Sequence, residues 1–85
     1  MAGGPGPAEP QKGLGRAVRR LREEADLTLG ALAERAGIPV AELAKIEAGE
    51  DDPVWGDMRR VAAGLGVSME RLAELAEELE EDGLL

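Results

Sequence analysis

Glycine and proline cut the middle of this sequence into pieces too short for anything but a cluster of small helices. Gly37, Pro39, Gly49, Pro53, Gly64 and Gly66 stand at or near the ends of apolar patterns with helical spacing, and no strand is indicated. Between these marks Leu32, Ala33 and Ala36 share one helical face, as do Leu43 and Ile46, and then Met58, Val61, Ala62 and Leu65. Upstream, Leu14, Val18, Leu21 and Ala25 form a stripe on a first helix of about residues 13 to 25. Thr28 has a hydroxyl suited to capping the second helix, and Gly37 suits the left-handed residue that ends it. Pro39, with its fixed φ and missing N–H, fits the first position of a third helix that stops at Gly49. The fourth ends at Gly64 and Gly66; Ser68 caps a fifth that runs to about Glu80. None of the five can bury a face alone, so the expected fold is all-α, a compact five-helix bundle around one core.

The ends of the chain lack such patterns. Residues 1–12, "MAGGPGPAEPQK", hold three Gly and three Pro with no apolar run and read as a flexible arm, followed by a domain at residues 13–80 and an acidic and apolar tail at 81–85. No stretch is apolar enough for a signal peptide or a membrane span, so a cytoplasmic location is expected. The chain has no Cys and no His, which removes thiolate metal sites and disulfides and leaves the hydroxyls of Thr28 and Ser68 without an imidazole to activate them. No catalytic, cofactor or metal site is expected, and an enzyme is not expected.

The formal net charge of -8 is unevenly spread. Residues 70–85 carry seven acids against Arg71, whereas Lys12, Arg16, Arg19, Arg20, Arg22, Arg35 and Lys45 nearly balance the acids of residues 12–48. A basic footprint of the kind that docks on phosphates is therefore muted.

The residues from "LGRAVRRLREEADLT" through "LAERAG", "IEAG" and Pro53 to "VAAGLGVSMERL" resemble the Cro and phage-repressor type of helix-turn-helix domain, the XRE family, over residues 14–75. The resemblance implies the lambda-repressor-like bundle, with the second and third helices forming the helix-turn-helix. It further implies binding to double-stranded DNA as a transcriptional regulator, a repressor by expectation, working as a homodimer with the third helix in the major groove. Val40, Ala41 and Lys45 then occupy base-reading positions, with Ala44 on the same outward face, and Thr28 and Leu29 meet the backbone. Val40 and Ala41 suit only a thymine methyl, whereas Lys45 can donate to a guanine. The alternative is a protein-interaction module, antitoxin-like or an anti-regulator, that keeps the fold with weak or no DNA binding. Two features favour it: the small-residue face of Ala41, Ala44 and Ala48, and the three carboxylates of Glu50, Asp51 and Asp52.

Other residues admit a structural and a functional reading. Arg22 and Glu47 match family positions that pair across the first and third helices and read as a structural salt bridge. Lys12, Arg16, Arg19 and Arg20 read as a solvated face rather than a phosphate strip, since Arg19 with Glu23 and Arg20 with Glu24 have i, i+4 spacing. Trp55, in register with Met58 and Ala62, is expected in the core. On the fifth helix Leu75 and Leu79 are expected to reach past the core and form the dimer interface, against repulsion from the neighbouring glutamates.

Overall fold

The computed structural model describes residues 12–50 and 53–84. The arm at residues 1–11, the loop acids Asp51 and Asp52, and Leu85 lie outside the described residues, as do the side chains of Lys12 and of residues 81–84. Five helices follow in order: α1 (Lys12–Glu24), α2 (Leu29–Ala36), α3 (Val40–Ala48), α4 (Trp55–Leu65) and α5 (Met69–Leu84). Among the described residues there is no strand.

Local chemistry explains the boundaries. The Thr28 hydroxyl accepts from the Ala31 amide at 3.0 Å and the Ser68 hydroxyl from the Arg71 amide at 3.0 Å, each satisfying a first-turn donor that has no partner within its helix. Four helices stop in the same way, with a left-handed residue at Asp26, Gly37, Gly49 or Gly66. The amide after each reaches back to a carbonyl five residues earlier, as from Leu27 to Arg22, Ile38 to Ala33, Glu50 to Lys45 and Val67 to Ala62. Asp26 is the one non-glycine among them, a residue type whose short polar side chain tolerates φ 64.

Four boundaries differ from the sequence expectation, one of them the end of α5, which runs to Leu84 rather than to about Glu80. Pro39 is extended at ψ 143 and precedes α3 rather than opening it, while its carbonyl accepts from the Leu43 amide at 3.1 Å. Ala25 lies in the turn after α1 and is exposed. Gly64 does not end α4 but is buried inside it, where an added Cβ would lie 3.2 Å from the Ala36 amide nitrogen; it lets α4 approach α2 closely.

The core is a single cluster in which Val18, Leu32, Leu43, Ile46, Val61 and Leu72 are fully buried, at least one from each helix. Replacing Leu32, Leu43, Ile46 or Leu72 by Ala removes about 2 to 5 kcal/mol. Helix α1 runs between α5 and α3, and α2 rests on α4 and α3. This arrangement overturns two expectations. Leu75 and Leu79 are only 4% and 7% exposed, because α1 lies along α5 and covers them; they belong to the core and cannot form a dimer interface. Trp55, expected inside, is 69% exposed. It is the first residue of α4, so no preceding turn of its own helix shelters it.

Candidate nucleic-acid interface

Helices α2 and α3 are joined by Gly37, Ile38 and Pro39. Ile38 is buried and pins the turn to the core, so the angle between the helices is set by packing. Leu43 and Ile46 hold α3 from beneath, and the opposite face is left to solvent. Val40, Ala41, Ala44, Lys45 and Ala48 are all exposed on it, so the three positions expected to read bases, Val40, Ala41 and Lys45, share one surface with Ala44. Glu42 is half-buried at its edge. At the start of α2, Thr28 is exposed with its hydroxyl engaged in the cap, and Leu29 is half-buried against the core. The α2 N-terminus still presents backbone amides, the kind of donor that meets a phosphate.

The frame beneath this surface is tied by an ion pair between α1 and α3. Arg22 Nε donates to Glu47 Oε2 at 2.7 Å and Nη2 to Oε1 at 3.0 Å, a two-pronged contact between α1 and α3. Nη1 donates to the Leu27 carbonyl at 2.9 Å, fastening the loop before α2 to the same guanidinium. The side chains are 14% and 9% exposed. The hydrogen bond to Glu47 holds the Arg22 pKa above its ordinary value, with the Glu47 and Glu23 charges adding to that rise and burial opposing it.

Several other basic residues are engaged elsewhere. Arg16 donates to the Leu79 carbonyl at 3.2 Å and Arg35 to the Gly64 carbonyl at 3.3 Å, contacts that join helices and that the sequence did not reveal. Arg19 pairs with Glu23 at 3.2 Å, an exposed contact; Arg20 and Glu24, with the same spacing, do not pair. Lys45 is thus the one base on the outward face of α3.

A family model described as a helix-turn-helix domain matches residues 13–75. The chain belongs to the helix-turn-helix domain family. Solved structures share the fold. The helix-turn-helix chain superposes on the clp gene regulator ClgR from Corynebacterium glutamicum with a TM-score of 0.80 and 25% identity, covering 91% of this chain and 85% of that one. An HTH_3 family transcriptional regulator from Vibrio cholerae gives a TM-score of 0.73 at 28% identity, over 80% of this chain and 39% of that one. The restriction-modification controller protein C.AhdI from Aeromonas hydrophila, at 21% identity and TM-score 0.71, covers 73% of this chain and 94% of its own, a likeness of fold. Among curated protein sequences none matches the chain significantly. No helix of the described residues is long and apolar enough to cross a membrane.

Proposed function

We propose that this helix-turn-helix protein is a DNA-binding transcriptional regulator of the cytoplasm, acting by repression, that docks α3 in the major groove as a homodimer. The observation that carries the reading is the exposed face of Val40, Ala41, Ala44 and Lys45 on a helix whose other face is locked into the core. Small side chains there let the helix backbone come close to the base edges, Val40 and Ala41 suit thymine methyls, and Lys45 donates to a guanine. Thr28 and the first amides of α2 meet the phosphates. A domain of this size represses by occupying its site, with no further activity required, and an enzymatic role has no place in the reading.

The test is a titration against mixed duplex DNA at two salt concentrations, since phosphate contacts release counterions and affinity must fall as salt rises. Lys45→Ala is expected to weaken binding at a specific site by about 1 to 3 kcal/mol; unchanged affinity removes Lys45 from the reading role. Replacing Glu50, Asp51 and Asp52 with Asn is expected to strengthen nonspecific binding, because these carboxylates repel a phosphate backbone.

A second reading has its own support in the exposed Ala41, Ala44 and Ala48 and in the net charge of -8. On that reading the same face receives a helix of another protein, as in an antitoxin or an anti-regulator. Absence of binding to every duplex at low salt favours it.

A further inference from the structure

Helix α5 packs chiefly on α1 and touches α4 far less, and a groove of about 390 Å³ opens between them. Met58 and Leu72 are buried at its floor, while Leu14, Met69 and Ala76 are half-buried along its sides. Trp55 stands at its mouth, next to Val54, and both are exposed. A Trp side chain left in water beside an apolar groove marks an interface, since such residues dominate binding energy once covered.

We propose that a second copy of this chain covers the groove, each copy inserting Trp55 into the groove of the other about a two-fold axis. Charge identifies the occupant. The groove is lined on one side by Glu77 and Glu80, which have no ion-pair partner among the described residues. A matching partner must present an apolar anchor followed by a base. This chain presents one: Arg59 lies one helical turn after Trp55, is exposed, and also has no ion-pair partner among the described residues. An exchange that seats Trp55 carries Arg59 to Glu77 and Glu80 of the other copy, and the two-fold makes the contact twice. No residue lining the groove comes from α2 or α3, so the pairing leaves the DNA-facing surface free. The inference rests on the reading above that the protein acts as a homodimer, and it assigns the interface to Trp55 in place of Leu75 and Leu79.

Trp55 is the sole Trp of the chain, so its emission reports on this interface alone. The full chain is examined by sedimentation equilibrium and Trp fluorescence over a range of concentrations. Self-association is expected, with a blue shift of the emission that follows the dimer fraction. Trp55→Ser is expected to raise the dimer dissociation constant at least tenfold while leaving the helical circular dichroism unchanged, since the side chain is not in the core. Arg59→Glu and Glu77→Arg are each expected to weaken the dimer, and the double charge exchange to restore most of the loss. A wild type that stays monomeric, a dimer whose emission does not shift, or a Trp55→Ser chain that dimerises like the wild type overturns the inference. Duplex binding by the same proteins at low salt separates this from the function itself. DNA binding with any of those three results leaves the regulator reading standing and removes this interface, whereas a Trp55-dependent dimer that binds no duplex removes the DNA reading and keeps the interface.

Discussion

Replacing either Arg22 or Glu47 by Ala is expected to lower stability by about 3 kcal/mol or more, because each change strands the other charge in a nearly buried site. The pair is two-pronged, at 2.7 and 3.0 Å, and little water reaches it to screen a lone survivor. Arg22→Ala also releases the Leu27 carbonyl, so it is expected to be the worse of the two. In a domain of this size each kcal/mol moves the melting temperature by roughly 4 to 8 °C, so a thermal melt resolves the effect easily. The double change Arg22→Met with Glu47→Leu is expected to recover much of the loss, since no charge is then left unpaired. The sign with pH follows from the raised Arg22 pKa. A cation whose folded pKa lies above its unfolded one contributes its stability below the unfolded value and loses it only as pH passes the folded one. The difference between wild type and Glu47→Ala is therefore expected to persist as pH is raised from 7 to 10. A loss below 1 kcal/mol in both single variants places the pair in solvent and removes it as a tie between α1 and α3.

Much of this was legible in the sequence, because helix ends are local chemistry. Thr28 and Ser68 announced the starts of α2 and α5, and Gly37, Gly49 and Gly66 the stops, since each signal acts within a few residues along the chain. The pairing of Arg22 with Glu47 came from the family resemblance. What periodicity does not carry is which neighbour lies against a given stripe. Trp55 is in register with Met58 and Ala62, yet only the later residues have a helix above them, so the same face is buried at Met58 and open one turn earlier. Leu75 and Leu79 were misread for the converse reason: α5 looked too long for the core, but α1 follows it and closes over both. The exposed face of α3 was legible as a surface, whereas a preference among bases was not, because alanine offers no donor or acceptor.

The close approach of α1 to both its neighbours depends on residues that periodicity ignores, and Gly15→Ala is expected to expose that dependence. In an open helix this change is stabilising by about 1 kcal/mol, because Ala is the best helix former and Gly among the worst. Here the new Cβ would strike the Ile46 carbonyl oxygen and lie 2.7 Å from that of Glu47. Those oxygens are backbone of the last turns of α3 and cannot rotate aside as a side chain does, so α1 and α3 must separate. Gly13 plays the same part toward α5, where an added Cβ would meet the Ala76 carbonyl oxygen. A net loss of about 2 to 3 kcal/mol is expected for Gly15→Ala, overpacking exceeding the gain in helix propensity. The cost does not stop at packing. Separation of α1 from α3 lengthens the Arg22 to Glu47 contacts and tilts the face that carries Val40, Ala41 and Lys45, so on the proposed function DNA affinity is expected to fall although none of those residues has changed. Gly30→Ala is the control: it lies in α2 with nothing within 4 Å of the added Cβ, and its melting temperature is expected to stay level or rise. If Gly15→Ala melts at or above the wild type, the two helices lie further apart than the backbone places them, and the frame that holds α3 is not the one drawn from Gly15 and Arg22.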